Sequence, residues 1–287
     1  MRADVPDAYL FDLDGTIYLG GGLLPGARDT VIGLREAGAT VLFCSNNPTK
    51  TPGDYAEKLT ALGIPTDERD VYTSLVATIE WITRHRPGAT VFPIGEQPLL
   101  GALIAAGITV SEDPEAIDLV VASYDRHFDY RKLQIAFDAI WMHKRAELVA
   151  TNPDRYCPFP GGRGEPDAAC VTAAIEAGTG TRCVAVFGKP SVDFFDVIAG
   201  ARGLDPQRTV MVGDRLATDM AFGRAWGAGT ALVLTGEAQP GDAELAPNAE
   251  RPHVVLSGIG QLVDLHHSGA WSRLERDLAT TEQEAAA

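Results

Sequence analysis

Runs of apolar residues alternate with helical patterns along most of this chain, and polar turn residues close each run. The opening run, Ala8-Tyr9-Leu10-Phe11, has no polar position and is typical of a strand that is buried on both faces. Helical patterns are predicted at 25–38 and around 54–62, with a strand between them at 40–44. Such alternation predicts parallel βαβ units.

Three more strand-like runs come late in the chain, at 183–187, 209–213 and 230–234. Each is followed by polar or glycine-rich turn residues, as the early runs are. We therefore expect the early and late runs to form one doubly wound parallel sheet. This predicts a discontinuous core domain over residues 1–83 and 179–267.

The block between these halves, at 84–178, has a different texture and no comparable cluster of acidic residues. Its predicted elements are strands at 90–94, 119–122 and 148–151 and helices at 99–106 and 130–141. We interpret it as a smaller α/β domain inserted into a loop of the core. The polar residues 268–287 form a separate C-terminal tail.

The charge balance restricts the class of partner. The 287 residues include 24 Lys and Arg against 39 Asp and Glu, which gives a net charge of −15. Such a surface argues against nucleic acid and anionic membranes as partners. The four cysteines have no CxxC spacing, no apolar run reaches about 18 residues, and the N-terminus lacks an apolar signal core. We expect a cytoplasmic protein.

Polar residues follow each predicted core strand. They are Asp12, Asp14 and Thr16, then Ser45 and Asn46, then Lys189, then Asp214 and Asp219. The carboxyl ends of parallel strands are where an open α/β sheet carries its site. We therefore expect these residues to form one active site.

The residue types suit phosphoryl transfer with Mg²⁺, which prefers oxygen ligands. Asp12 and Asp214 can supply carboxylates, and the carbonyl oxygen of Asp14 is a third candidate ligand. Asp12 can attack phosphorus and form an aspartyl phosphate. Asp14, two residues away, can give a proton to the leaving alcohol and later take one from water. A small phosphorylated metabolite is the expected substrate.

Three other residues can hold the phosphate. Ser45 and the amide of Asn46 stand at a strand-to-helix turn, where phosphate oxygens accept hydrogen bonds. Lys189 adds the positive charge.

These clusters resemble, in order, the four motifs of the haloacid dehalogenase (HAD) superfamily of phosphatases. The matching segments are Phe11-Asp12-Leu13-Asp14-Gly15-Thr16, Ser45-Asn46-Asn47, Gly188-Lys189-Pro190-Ser191 and Gly213-Asp214-Arg215-Leu216-Ala217-Thr218-Asp219. The resemblance implies a Rossmann-like core with Asp12 as nucleophile and Asp14 as general acid and base. It also implies that Asp214 holds Mg²⁺ and that Thr16 and Asp219 support the site.

The long gap between the second and third motifs resembles the branch with a type-2 cap, the NagD-like or 4-nitrophenylphosphatase-like group. Glu165-Pro166-Asp167 stands where many members have Pro-Gly-x-Gly, and this departure resembles the arabinose-operon sugar-phosphate phosphatases. The resemblance therefore implies sugar phosphates as substrates and a homodimer paired through its caps.

The cap also contains candidate substrate contacts, namely Asn152, Asp154, Arg155 and Asp167. An ordinary turn explains the Asn-Pro-Asp segment equally well, and a helix cap explains Asp167. Other functions are also considered. A phosphotransferase or phosphomutase would use the same nucleophile, and a sugar-phosphate sensor would bind without turnover. A dehalogenase would not require the full acidic set of Asp14, Asp214 and Asp219, so the presence of these residues counts against it.

Overall fold

A computed structural model of the chain describes residues 5–159, 163–268 and 271. The predicted tail at 268–287 therefore lies, apart from residues 268 and 271, outside the described residues. The strands are β1 Ala8–Phe11, β2 Tyr18–Leu19, β3 Gly22–Leu23, β4 Thr40–Ser45, β5 Val71–Thr73, β6 Thr90–Ile94, β7 Thr109–Val110, β8 Leu119–Ala122, β9 Glu147–Ala150, β10 Tyr156–Phe159, β11 Arg163–Pro166, β12 Ala185–Val186, β13 Thr209–Gly213, β14 Gly229–Val233 and β15 Val254–Leu256.

The α-helices vary from a single turn to three turns. They are α1 Ala27–Glu36, α2 Pro52–Ala61, α3 Ser74–His85, α4 Gln97–Ala105, α5 Tyr130–Phe137, α6 Ala168–Thr179, α7 Val192–Arg202, α8 Ala221–Trp226, α9 Asp242–Leu245 and α10 Leu262–Ser268. Within the part of the chain that the structure describes, no helix is both long enough and apolar enough to cross a membrane.

Internal contacts divide the described chain into two units. The first contains the residues up to Cys44, Tyr55–Val71 and those from Ile198 onward, and the second contains Ser45–Asp54 and Tyr72–Val197. The limits predicted for the inserted domain, 84–178, stay a prediction.

The first unit is built on a six-stranded sheet in the order β15-β14-β13-β1-β4-β5. β1 lies between β13 and β4 and pairs in parallel with both, Phe11 standing opposite Val212 and Phe43. All four residues of β1 are buried, as its continuous apolar run predicts. The predicted α/β fold with a parallel-sheet core is confirmed, and it brings the ends of β1 and β13 side by side.

The second unit contains a five-stranded parallel sheet in the order β12-β9-β8-β6-β7. The sequence predicts the run at 183–187 as a strand of the core sheet, and this prediction is wrong. Its residues Ala185 and Val186 pair with Val149 and Ala150 of β9. An apolar run fits equally well beside any parallel strand, so its composition does not identify the sheet that it joins.

Candidate active site

The end of β1 and the end of β13 place two carboxylates next to each other. The Asp12 amide follows β1 and donates to the carbonyl oxygen of Val212 at 2.9 Å. Asp214 directly follows β13 and is 3% exposed. Single carboxylate oxygens of Asp12, Asp214 and Asp219 lie within 4.8 Å of one another. We call these three residues the acidic cluster.

Asp219 reaches the cluster from a short π-helical turn, Leu216–Met220. Its side chain is fully buried, and its Oδ2 accepts a hydrogen bond from the Arg215 amide at 3.1 Å. A Cβ atom at Gly213 would lie 2.3 Å from the carboxyl carbon of Asp219. Glycine at the end of β13 is therefore required for this carboxylate to fold back over the strand.

Two other glycines make room for Asp214. A Cβ at Gly236 would lie 1.9 Å from Oδ2 of Asp214, and one at Gly15 would lie 2.6 Å from the same oxygen. Gly15 also has φ +92°, in the left-handed region that favours glycine. The same Oδ2 accepts a hydrogen bond from the Glu237 amide at 2.7 Å. The carboxylate is thus fixed by a backbone donor inside a cradle that side chains would fill.

The acidic cluster fits a magnesium ion. Mg²⁺ takes oxygen ligands at about 2.1 Å in an octahedron, so opposite ligands stand about 4.2 Å apart. The three carboxylate oxygens lie no more than 4.8 Å from one another, which is compatible with that span. Three like charges held this close repel one another unless a cation neutralises them. The structure thus brings Asp12 and Asp214 together as the sequence predicts, and it adds Asp219 to the same cluster.

Asp14 has a different environment, since its side chain is exposed. Its Oδ2 accepts a hydrogen bond from the Tyr18 hydroxyl at 3.4 Å, and the Gly15 amide donates to the Tyr18 carbonyl oxygen at 2.8 Å. Burial, and then the negative charge of Asp14, raise the pKa of Tyr18. Tyr18 therefore stays a hydrogen-bond donor to this carboxylate. Metal ligation through the Asp14 carbonyl stays a prediction.

Thr16, which follows Asp14 by two positions in the sequence, is fully buried. Its hydroxyl has no hydrogen-bond partner among the residues that the structure describes. The supporting role that the sequence predicts for Thr16 is therefore not visible as a hydrogen bond of its hydroxyl.

The second unit holds the residues predicted to bind phosphate. The Ser45 side chain, at the end of β4, accepts a hydrogen bond from the Asn47 amide at 3.2 Å. The Asn46 side chain bonds both backbone groups of Lys189: Oδ1 accepts from its amide at 2.7 Å, and Nδ2 donates to its carbonyl oxygen at 2.9 Å. A Cβ at Gly188 would lie 2.7 Å from Asn46 Oδ1. The structure therefore brings Asn46 and Lys189 together across 143 residues of sequence.

Three of the four cap candidates extend this arrangement. The Asn152 side chain is fully buried, and its Nδ2 donates to the Asn46 carbonyl oxygen at 3.1 Å and to Asp167 Oδ1 at 3.3 Å. Its Oδ1 accepts from the Asp154 amide at 2.9 Å. Asn46 Nδ2 and Asp154 Oδ1 are 3.4 Å apart.

Asp167 and Arg155 differ in exposure. Asp167 is 3% exposed and stands at the N-cap of α6, where Oδ1 accepts from the Ala168 amide at 2.6 Å. Its geometry is the helix cap that the sequence allows as an alternative. Arg155 is exposed, and its carbonyl oxygen accepts from the Asp167 amide at 3.1 Å. Contact of either side chain with substrate stays a prediction.

Sequence reasoning missed two features of these clusters. The first is the commitment of the Asn46 side chain to the Lys189 backbone, and the second is the glycine cradle of Asp214. The glycines next to the chemical residues, Gly188 and Gly213, were the available signal, because glycine beside a functional residue indicates close approach of another group.

The chain matches known families at both ends. Residues 9–109 match the family described as haloacid dehalogenase-like hydrolase, and residues 186–262 match the family described as HAD-hydrolase-like. The sugar-phosphatase AraL of Bacillus subtilis (strain 168) is 33% identical over 264 residues. That alignment covers 92% of this chain and 94% of AraL.

Solved structures match over similar lengths. A 4-nitrophenylphosphatase from Thermotoga maritima has a TM-score of 0.85 at 34% identity, covering 92% of this chain and 98% of that one. A glycerol phosphate phosphatase from Mycobacterium tuberculosis, solved in complex with magnesium, has a TM-score of 0.82 at 28% identity. That match covers 91% of this chain and 77% of the other.

Proposed function

This chain belongs to the haloacid dehalogenase-like hydrolase family and is a phosphatase of small phosphorylated metabolites, and we propose that it works with Mg²⁺ through a phosphorylated Asp12. The predicted resemblance to the family, and to its NagD-like and 4-nitrophenylphosphatase-like branch, is confirmed. The observation that carries the mechanistic proposal is the acidic cluster, whose three carboxylates meet at the end of β1 and β13.

In the first step, an Asp12 carboxylate oxygen attacks phosphorus, the new O–P bond forms, and the ester O–P bond breaks. Asp14 gives its proton to the leaving alkoxide. In the second step, Asp14 takes a proton from water, whose oxygen attacks the phosphoryl group and releases inorganic phosphate and free Asp12. The exposed Asp14, two residues from Asp12, suits proton exchange with both alcohol and water.

Asp12 and Asp214 would hold Mg²⁺, with the Asp14 carbonyl as a third ligand and Asp219 in support. When bound, the ion supplies positive charge that stabilises the phosphoryl oxygens as the bond to the leaving group breaks. The clustered oxygens and the glycine cradle of Asp214 support this assignment.

The phosphate-binding roles go to Ser45, the Asn46 amide and Lys189. Lys189 is 2% exposed, and its backbone is held at two points by Asn46. A buried ammonium group of this kind is stabilised when an anion shares its site. Both facts support a role for Lys189 as the positive charge that receives phosphate.

Sugar phosphates are the favoured substrates, because the chain is 33% identical to a protein named sugar-phosphatase over 92% of its length. The second unit would determine which alcohol portion of a phosphomonoester is accepted. Its candidate contacts are Asn152, Asp154, Arg155 and Asp167. We also propose a cytoplasmic enzyme that forms a homodimer through its caps.

A screen of phosphate release tests the proposal. The purified protein would be offered sugar phosphates, phosphoglycolate, glycerol phosphate, nucleotides and pyridoxal phosphate, with Mg²⁺ and after chelation by EDTA. We expect release only with Mg²⁺ and the highest kcat/KM for a sugar phosphate. Activity that survives EDTA would contradict the metal assignment, and a nucleotide as the best substrate would contradict the substrate class. Recovery of the phosphate on a sugar hydroxyl instead of in solution would indicate a phosphotransferase.

A further inference from the structure

The second unit contains a buried hydrogen-bonded chain that ends on Lys189. We propose that Asn46 and Asn152 are positioning residues that set the place of the Lys189 ammonium group, an inference that rests on the proposed phosphate-binding role of Lys189. The chain runs from Asp167 through Asn152 and Asn46 to Lys189. We call these four residues the asparagine relay.

The link between Asn46 and Lys189 fixes a backbone from a distance. Oδ1 accepts from the Lys189 amide at 2.7 Å and Nδ2 donates to its carbonyl oxygen at 2.9 Å. Two opposed hydrogen bonds from one planar amide define both the position and the orientation of the residue that they join. A lysine side chain has four rotatable bonds, so a fixed backbone reduces the space that its Nζ must search.

Asn46 is in turn held from two sides. Its carbonyl oxygen accepts from the Ser74 hydroxyl at 2.6 Å and from Asn152 Nδ2 at 3.1 Å. Asn46 is 8% exposed, and Ser74 and Asn152 are fully buried. Buried polar groups are costly unless they are hydrogen-bonded, and a satisfied network specifies one arrangement. The geometry of Asn46 is therefore set by the unit around it.

Asp167 closes the relay at its far end. Its Oδ1 accepts from both the Ala168 amide at 2.6 Å and Asn152 Nδ2 at 3.3 Å. The helix cap of α6 and the orientation of Asn152 thus share one oxygen atom. This makes Asp167 the remotest member of the relay, and we expect the effects of substitution to decrease from Asn46 to Asn152 to Asp167.

Gly188 shows that the arrangement is tightly fitted. A Cβ there would lie 2.7 Å from Asn46 Oδ1 and 2.9 Å from the Asn152 Cβ. Such distances are closer than packed atoms tolerate, so only glycine lets the backbone before Lys189 approach both asparagines.

A double-mutant cycle between Asn46 and Lys189 tests the inference. Asn46→Leu keeps the side-chain size and removes both hydrogen bonds to Lys189, and Lys189→Met removes the ammonium group. We expect Asn46→Leu to lower kcat/KM about 10-fold or more and to raise the inhibition constant of inorganic phosphate by a similar factor. In the Lys189→Met background, the same change should lower kcat/KM by no more than about 2-fold, because the group it positions is gone.

A merely structural role gives a different result. Losses that multiply in the double variant, or a lower melting temperature with unchanged kcat/KM and phosphate inhibition, would overturn the inference. If Asn46→Leu does not fold, Asn46→Ala replaces it, since that smaller change also removes both hydrogen bonds to Lys189 and adds no charge. Asn248→Ala makes the same chemical change at an exposed position and should leave both constants unchanged.

Direct binding of inorganic phosphate, measured by calorimetry in the same four proteins, separates this inference from the proposed function. Coupled phosphate affinities without turnover by the wild-type protein would support the relay and contradict the phosphatase mechanism. Turnover with independent effects of the two substitutions would support the phosphatase mechanism and contradict the relay. Wild-type protein that neither binds inorganic phosphate nor hydrolyses phosphomonoesters would overturn both the relay and the phosphatase mechanism.

Discussion

The acidic cluster and the asparagine relay are both groups of mostly buried polar side chains near the ends of strands, yet they are stabilised in opposite ways. The acidic cluster places three carboxylates within 4.8 Å, where like charges repel one another. The relay joins amides, a carboxylate and backbone groups in complementary donor and acceptor pairs. The acidic cluster thus concentrates negative charge, and the relay pairs hydrogen-bond donors with acceptors.

On the roles proposed above, the acidic cluster would bind a cation, whereas the relay would orient the Lys189 side chain. The acidic cluster would gain stability when a cation binds, so its residues are expected to cost the protein stability in the absence of the ion. The hydrogen bonds of Asn46, Asn152 and Asp167 need no ligand, so these three residues are expected to contribute to folding with and without Mg²⁺. Substitutions in the two regions should therefore change stability in opposite directions, which makes the comparison testable.

The largest effect is expected for Asp12→Asn. An amide is a poor nucleophile towards phosphorus, and the change also removes one carboxylate from the acidic cluster. We expect kcat for 4-nitrophenyl phosphate to fall by at least about 10³-fold at saturating Mg²⁺. The measurement is nitrophenol release by the purified variant.

Asp29→Asn provides the matched control for that variant, because Asp29 is an exposed aspartate of α1. It should retain wild-type kcat. If Asp12→Asn keeps a tenth of the wild-type rate or more, the nucleophile has been assigned wrongly and the acidic cluster has another role.

The second effect concerns the cradle of Asp214. In Gly236→Ala, the new Cβ would lie 1.9 Å from Asp214 Oδ2, so the carboxylate must move. We expect the Mg²⁺ concentration for half-maximal activity to rise by about 10-fold or more, and the free energy of unfolding to fall by about 1–3 kcal/mol. Magnesium titrations and urea denaturation measure the two quantities.

Gly101→Ala makes the same substitution inside α4, where a Cβ would meet nothing within 4 Å. That variant should keep the wild-type Mg²⁺ requirement and gain up to about 1 kcal/mol of stability, because alanine is the better helix former. An unchanged Mg²⁺ requirement in Gly236→Ala would show that Asp214 does not need its present position to bind metal.

The third effect is a gain of stability. Asp219→Asn removes one of three clustered negative charges and can keep the hydrogen bond from the Arg215 amide. Without Mg²⁺, we expect the free energy of unfolding to rise by on the order of 1 kcal/mol. With Mg²⁺, the wild-type protein should recover more stability than the variant does.

Asn152→Leu is the counterpart in the asparagine relay. It keeps a similar volume but leaves the Asn46 carbonyl oxygen and the Asp154 amide with fewer partners, so it should lower stability with and without Mg²⁺. The two regions would not differ as described if Asp219→Asn destabilised the metal-free protein, or if the loss in Asn152→Leu vanished when Mg²⁺ was added.

The sequence predicted the parts of this molecule that depend on local pattern. β1, β6, β8 and β13 have the predicted limits, because each is a short, mainly apolar run that polar or turn residues follow. The placement of residues 183–187 was wrong because sheet membership depends on long-range pairing.

The site residues show the same distinction between local pattern and long-range pairing. The proximity of Asp12 and Asp214 was predictable, because both residues directly follow strands of a parallel sheet. The bonds from Asn46 to Lys189 could not, because they join residues 143 positions apart through a side chain that also suits a turn. The type of residue indicates which hydrogen bonds it can make, and only the fold indicates where its partner stands.

The smallest effect is expected for the ion pair between Arg126 and Glu96, which belongs to neither region. Arg126 donates from Nε and Nη2 to the two carboxylate oxygens of Glu96, each at 2.6 Å, and these hydrogen bonds lower the pKa of Glu96 from its ordinary value of 4.5. A lowered pKa means that the pair stabilises the fold above pH 4.5 and that this contribution is lost as pH falls through the lowered value.

Since the Arg126 side chain is 52% exposed, Glu96→Gln should cost less than about 1 kcal/mol at pH 7. The difference from wild type should shrink at pH 3, whereas Glu57→Gln, at an exposed position of α2, should change little at either pH. Urea denaturation at both pH values measures this, and a difference that grew on acidification would mean that the native fold stabilises the protonated form of Glu96 instead.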